Sequence, residues 1–330
     1  MLFDGRWIKV KINWYLLNAG KLQKQPSPSG WPKGDISLQG ESWFDIEDAQ
    51  PEEIRQFLTP LNLHPLILDR CVDQADVPGV ISYDKAVLLE FPIAFDEESD
   101  NQAYLTFVLQ SPVLVTIRHG KMPSIDELAQ SLTGEKAPVL SHLVQILYLI
   151  LDDITDTSVQ AETTVRDEIL NTAKTLTKNP GSVHTEDLTK LHWQVDKLVA
   201  LIENQQYCIA GLNASDNEAL QEPHRRAYLQ DLQSEIEIAQ RGIYRLETRV
   251  NDLYAYYQMA GSDLVEKRLR TLTIISAITL PLGLIAGLLG MNVGGVPWIT
   301  FSLGFIVVII LMVVIAAVEL WYFKQKGWFD

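Results

Sequence analysis

Two apolar patterns of different kind dominate the second half of the chain. Leu229, Leu232, Ile236, Ala239, Ile243, Leu246, Val250, Leu253, Tyr257, Ala260 and Leu264 follow one another at steps of three and four, the heptad spacing of one helix face. Beyond that stripe the polar positions thin out. From Thr271 to Val318 there is no Asp, Glu, Lys, Arg or His. A single membrane span needs about 20 apolar residues, so the stretch predicts two spans. Met291-Asn292-Val293-Gly294-Gly295-Val296-Pro297 collects the helix breakers between them and predicts the turn. The spans are read as Leu272 to Gly290 and Ile299 to Val318, with an outer loop over 291–298. No proline lies between Pro223 and Pro281, so one helix is expected to run from the stripe into the first span. At about 1.5 Å per residue it would reach roughly 100 Å. Gly242 and Gly261 weaken it locally by about 1 kcal/mol each. The stripe itself has two readings, packing against the chain's own preceding helices or a contact between subunits.

The first half is patterned differently. Trp7–Leu17, Ser42–Ile46, Gly79–Ser82, Ala86–Phe91, Ala103–Leu109 and Val113–Ile117 are rich in Val, Ile, Tyr and Phe and are bounded by turn residues, which predicts strands. Pro51–Leu58 and His64–Val72 predict short helices between them, the first opening on Pro51-Glu52-Glu53, a favourable first turn. Lys24–Asp35 is a loop by its Pro and Gly content. Val139–Lys178 and Glu186–Leu212 predict two long helices, separated by Asn179-Pro180-Gly181 and followed by the break Asn213 to Asn217. The expected architecture is an α+β cytoplasmic domain in α/β/α layers, with a long stalk helix and a C-terminal two-helix transmembrane hairpin. The expected divisions are 1–222, 223–270 and 271–330. The strand order is not derivable from the pattern.

Charge assigns a side to each part. The 330 residues hold 27 Lys and Arg against 42 Asp and Glu, a net −15. Glu319 and Asp330 offset Lys324 and Lys326, so the whole excess lies before Thr271. Such a balance argues against a nucleic-acid partner and suits cations. Lys267, Arg268 and Arg270 precede the first span and Lys324 and Lys326 follow the second. Basic flanks stay inside, so both termini are expected to be cytoplasmic and the Met291–Pro297 turn external. Trp298, Trp321, Tyr322 and Trp328 suit interfacial belts. The first residues alternate apolar and charged positions with no continuous apolar core, so a secretory signal is not expected. Cys71 and Cys208 are too few for a disulfide framework and read as small buried apolar residues. His184 and His192, eight apart, read as solvated surface, and His64 before Pro65 as structural. No nucleophile elbow, phosphate loop or paired acid/base motif points to an enzyme.

Two helices whose backbone groups are satisfied internally enclose no lumen. Transport would therefore need several copies around an axis. The first span makes the better wall: Leu269, Thr273, Ser276, Leu280, Gly283, Gly287 and Gly290 share one face, and its small residues, Gly283, Ala286, Gly287 and Gly290, allow close approach. The alternative is that the hydroxyls of Thr271, Thr273, Ser276 and Thr279 merely bond to the carbonyl one turn back.

Leu280-Pro281-Leu282, Ile285-Ala286-Gly287 and Gly290-Met291-Asn292, at the end of the first of two C-terminal spans, resemble the CorA-type metal-ion transporters, whose signature is Gly-Met-Asn at that place. Trp43-Phe44-Asp45, Leu63-His64-Pro65-Leu66 and the stretch Pro78 to Tyr83 resemble that family's cytoplasmic domain. The acid-free Val293-Gly294-Gly295-Val296-Pro297 resembles the ZntB-like zinc-transport branch rather than the magnesium branch, which continues with an acidic stretch. Leu280 departs from the Met common in the magnesium branch. The resemblance implies a homopentameric funnel in the bacterial inner membrane, carrying Zn2+ or another divalent cation. It also implies a ring of Asn292 at the outer mouth, beside Gly290 and Met291, touching the ion through its water. A neutral amide carbonyl suits that task, since it replaces part of a hydration shell without trapping the ion. The alternative for Asn292 is a cap on the helix in the left-handed conformation. Zinc's usual Cys, His and carboxylate ligands are missing from the span, which keeps a magnesium, cobalt or nickel channel open as an alternative. A membrane-anchored scaffold or sensor is the reading outside transport. The family's cytoplasmic regulatory metal sites have no assignable counterpart in the sequence.

Overall fold

The computed structural model describes residues 11–26, 40–73, 77–95, 102–135, 137–291 and 304–328. Strands β1 (Lys11–Asn18), β2 (Lys21–Gln25), β3 (Glu41–Glu47), β4 (Gly79–Tyr83), β5 (Ala86–Phe95), β6 (Gln102–Gln110) and β7 (Val113–Arg118) form a single sheet in the order β2-β1-β3-β7-β6-β5-β4. Only β3 and β7 run parallel; every other neighbouring pair is antiparallel. That parallel pair sits in the middle of the sheet. β7 is buried at every position and β3 at all but its first, as a strand covered on both faces must be.

Helices α1 (Pro51–Leu58) and α2 (Pro65–Val72) cover one face. Phe44, Ile46, Ile54, Phe57, Leu58, Ile67, Leu88, Val108, Val115 and Ile117 make the core between them. His64 is the N-cap of α2, its Nδ1 accepting from the Leu66 N–H, and its ring stacks on Tyr83 at 4.3 Å, so its role is structural. The other face carries Trp43, Asp45, Thr116 and Arg118. α3 (Pro123–Thr133), α4 (Leu143–Lys178) and α5 (Thr185–Ala214) come next in the chain. α5 reaches the sheet through Gln205 Nε2, which donates to the Pro92 carbonyl at 3.1 Å, and through the buried Cys208, whose Sγ donates to the Glu90 carbonyl at 3.3 Å. Burial pushes both thiols, Cys71 and Cys208, up to about 12, which leaves them inert apolar fillers.

Under that second face lies a network of charges. Arg118, 0 % exposed, binds Asp45 at 3.0 Å, Glu47 at 3.3 Å and Asp126 of α3 at 2.7 Å. Thr116 Oγ1 donates to Asp45 at 3.0 Å, and Asn13 Nδ2 donates to the same carboxylate at 3.1 Å. Burial disfavours the guanidinium charge, but hydrogen bonds and charge from Asp45 and Asp126 outweigh it and hold the pKa above its ordinary value. The carboxylates arrive by strand alternation, since Asp45 and Glu47 share the face of β3 that Arg118 occupies on β7.

α6 (Arg225–Gly290) is one continuous helix that passes through Pro281, as the proline spacing predicts. Leu229, Leu232, Ile236, Ala239, Ile243, Leu246, Val250 and Leu253 are all buried. The chain's own helices supply the partners: Gln240 Nε2 donates to Gln206 of α5 at 2.8 Å, Tyr244 Oη to Glu203 at 2.7 Å, and Thr155 of α4 meets Glu235 at 3.4 Å. Gly242 has a reason beyond propensity. A Cβ there would lie 2.9 Å from the carboxylate of Glu162 on α4, so the two helices approach through the missing side chain. Tyr257 and Ala260 are half-buried and Leu264 is exposed, so the intramolecular use of the stripe stops at Leu253. Met1–Thr175 with Val183–Asn251 form one compact unit, and Leu176–Ser182 with Asp252–Asp330 a second. The last helix is α7 (Gly304–Gln325).

Three features depart from expectation. β2 is a strand that the sequence reading missed, and it claims Lys24 and Gln25 from the expected loop; Leu22 is its one buried residue, so an edge strand left no alternation to read. α3 was also missed, although Pro123 opens it and Ile125, Ala129 and Leu132 bury one face. α7 extends past Val318 to Gln325, because helices continue into the interface after their apolar stretch ends. The Trp7–Val10 part of the first expected strand, the remainder of the loop from Ser27 and the start of the second span, Ile299 to Leu303, lie outside the described residues.

Candidate ion pathway and acidic cluster

In the second unit the two spans show their seam through burial alone. On α6, Ile274 is buried, and Ala277, Ile278, Pro281, Leu282, Ile285 and Leu289 are half-covered; on α7 the same holds for Val308, Met312, Ile315, Ala316, Glu319 and Phe323. Both sets recur at steps of three and four, the mark of one helix face. Both helices are long and apolar enough to cross a membrane, and almost none of either span is buried by the chain itself. An apolar helix with only one narrow face covered belongs in lipid or among other helices.

Leu269, Thr273, Ser276, Leu280, Gly283, Gly287 and Gly290 are every one exposed. They form a face of α6 that does not belong to the seam. Thr273 Oγ1 donates to the Leu269 carbonyl at 2.8 Å, Thr271 to Lys267 at 2.9 Å, and Thr279 to Ile275 at 2.8 Å. The threonine hydrogens are therefore used one turn back, while the oxygen lone pairs remain available to a cation. Met291, also exposed, is the last described residue of this segment; Asn292 and the rest of the outer turn, with Trp298, lie outside the described residues.

Glu319 was read only as the end of the charge-free stretch. Its Oε2 is shielded from solvent and has no hydrogen bond among the described residues, and it lies on the seam side of α7. A carboxylate placed ahead of the aromatic belt of Trp321 and Tyr322 was the available signal, since ionisable groups inside a membrane are rarely incidental.

The unit around the sheet holds a second unbalanced group. Asp152 of α4 and Asp231 and Glu235 of α6 bring carboxylate oxygens within 4.8 Å of one another. Partial burial raises the pKa of Asp152, helped by the charges of Asp156, Asp231 and Asp153. Burial likewise raises that of Glu235, with Asp152, Asp156 and Asp231 adding to it and the Thr155 hydroxyl opposing. Three oxygen donors of this kind are able to hold a hard divalent cation. Sequence reasoning assigned no such group, though Asp152 and Asp156, and Asp231 and Glu235, each stand four apart on one helix face. The histidines form no counterpart. His184 caps α5, its backbone N–H donating to Asp187 at 2.9 Å, and His192 pairs with Asp196 at 3.0 Å on the exposed surface.

Against known families, residues 39–325 match the CorA-like Mg2+ transporter protein family. The chain belongs to that family. The complete CorA magnesium transporter of Methanocaldococcus jannaschii superposes with a TM-score of 0.80 at 19 % identity, covering 98 % of this chain and 100 % of that one. The zinc transport protein ZntB of Yersinia enterocolitica is 25 % identical over 299 residues, 87 % of each chain. The cobalt/magnesium transport protein CorA of Thermotoga maritima is 38 % identical over 79 residues, 24 % of this chain and 22 % of that one. Membership bears out the resemblance drawn from Gly290-Met291-Asn292, and makes the chain a ZntB-like member of the CorA superfamily of divalent metal-ion transporters. A family of ion transporters is also consistent with a chain in which no enzyme motif was found.

Proposed function

We propose that this chain carries zinc across the bacterial inner membrane through a pore built from five copies of itself. The exposed face of α6 lines the pore and Asn292 rings its outer mouth. The observation that carries the reading is the pairing of a covered seam with an uncovered polar and small-residue face on one apolar helix. What an anchor has no use for is the hydroxyl and glycine content of the uncovered face, Thr273, Ser276, Gly283, Gly287 and Gly290. Both termini lie in the cytoplasm, because the basic flanks stand at one end of the hairpin. Support for zinc comes from the acid-free Val293–Pro297 turn, which lacks carboxylates to gather strongly hydrated magnesium, and from the likeness to ZntB. The magnesium or cobalt reading is favoured by one observation, the absence from both spans of the nitrogen and sulfur ligands that zinc prefers.

Two substitutions at one position test the pore. Asn292→Ala and Asn292→Gly both abolish metal flux in reconstituted liposomes if the amide ring handles the ion. If Asn292 only caps the helix, glycine restores flux, because it adopts the same left-handed backbone. Near-normal flux through correctly assembled Asn292→Gly removes the ring from the account.

A further inference from the structure

The parallel strands β3 and β7 send the chain to opposite faces of the sheet. β3 runs on through Asp48 into α1, which packs on the face of Phe44 and Ile46. β7 runs on through His119 and Gly120 toward α3, whose Asp126 meets Arg118 on the other face. Adjacent parallel strands that exit to opposite sides leave a crevice at their carboxyl ends, and in open α/β sheets ligands bind there. In this sheet the crevice is an open cavity of about 520 Å³. One hydrogen bond ties the two strand exits together across it, the Gly120 N–H donating to Asp48 Oδ1 at 2.6 Å.

The lining is of two kinds. Asp48, Asp73 and His119 supply acceptors, and Ala49, Ile54 and Val72 supply an apolar wall. The Asp73 carboxylate and the His119 ring have no hydrogen bond or ion pair among the described residues, and of the Asp48 carboxylate only Oδ1 is engaged. No Lys or Arg is among the described lining residues, so the cavity is electronegative and suits a cation. A bare metal ion needs donors that converge. Among the described residues the trio whose ligand atoms lie within 4.8 Å of one another is Asp152, Asp231 and Glu235, not this one. A hydrated ion would reach the carboxylates through its water but would make no use of the apolar wall.

We propose that this cavity binds a small organic cation of the aliphatic amine class. An ammonium group donates to Asp48 Oδ2 and to Asp73, with His119 accepting at the rim. The methylene stem lies along Ile54 and Val72. A few placed polar groups over an apolar wall are the usual make-up of a small-molecule site. Ala49 and Ile54 belong also to the core under α1 and α2, so the floor is fixed by the packing beneath it. The site stands in the unit around the sheet and does not depend on the pore reading.

The test is isothermal titration of the full-length purified chain in detergent with cadaverine. The expected result is saturable binding of one molecule per chain, weakened about tenfold in Asp48→Asn and about a hundredfold in Asp48→Asn/Asp73→Asn. Asparagine keeps an acceptor for the Gly120 N–H and tolerates the left-handed backbone of Asp48, φ +54°, so both variants keep the unfolding midpoint of the parent chain. Two further arms use the unaltered chain. Pentanediol, which has the same stem and no charge, does not bind, and an equal concentration of magnesium or zinc chloride does not displace the amine. Absence of saturable binding overturns the proposal, and so does equal binding of pentanediol. Displacement by either metal at equal concentration overturns the organic class. Loss of binding in Asp152→Asn but not in Asp48→Asn moves the amine to the other acidic group and overturns the site.

Discussion

The first 25 or so residues of the α6 stripe and the last 20 of the same helix follow opposite rules. From Leu229 to Leu253 the stripe residues share one face and the chain covers each of them, leaving Ile238 and Tyr244 exposed off that face. From Leu269 to Gly290 the helix is apolar on nearly every side, and the chain covers only a seam. The contrast extends to charge. The unit around the sheet buries even Arg118, with three carboxylates around it, while the membrane unit leaves Leu280 72 % exposed. The buried charges of the sheet unit find their partners within one chain. A region that displays its apolar residues needs lipid and, for a pore, further copies.

Substitutions on either side of that contrast should behave differently, and the largest effect belongs to the buried charges. Arg118→Leu leaves Asp45 without its buried partner and is expected to lower stability by about 3–5 kcal/mol, measured by urea unfolding of the full chain in detergent. A change under about 1 kcal/mol would mean that water reaches the network. Ile243→Ala, in the covered part of α6, is expected to cost about 2–5 kcal/mol. Leu280→Ala, in the uncovered part, should shift the unfolding midpoint by no more than about 0.5 kcal/mol while altering metal flux. Equal stability losses at Ile243 and Leu280 would erase the contrast.

The smallest effect is the dependence on pH. Asp152 and Glu235 hold their protons to higher pH in the folded chain than in the unfolded one. The stability they contribute is fully present below the ordinary carboxylate range and is lost as pH rises through their elevated values. Hydrogen exchange of α4 and the start of α6 should therefore quicken as pH rises through that window, after correction for intrinsic exchange. Asp152→Asn should flatten the response, and an unchanged slope would show that the crowding of Asp156 and Asp231 is relieved by solvent.

Legibility in the sequence follows the same division. The α6 stripe was readable by its period, the spans by their unbroken apolar runs, and β3 to β7 by their Val, Ile, Tyr and Phe between turn residues. Pro281 did not mislead, since the neighbouring apolar run outweighs one lost hydrogen bond. β2 escaped because an edge strand with one buried leucine has no alternation, and α3 because its short face of Ile125, Ala129 and Leu132 stands alone. The Arg118 network was invisible for a deeper reason: its carboxylates come from β3 and α3, far apart in sequence, and polar residues carry no periodic mark of their burial. Asp152, Asp231 and Glu235 meet only because α4 and α6 pack side by side. Gly290-Met291-Asn292 was legible as a motif rather than as physics, and what it signalled was the family.

Metal flux into liposomes containing the purified chain, compared across zinc, magnesium, cobalt and nickel at equal gradients, tests the central claim most directly. The account predicts divalent-metal entry that depends on the chain, with zinc faster than magnesium. Faster magnesium would return the chain to the magnesium and cobalt side of its family, and no metal entry from a correctly inserted chain would contradict transport itself.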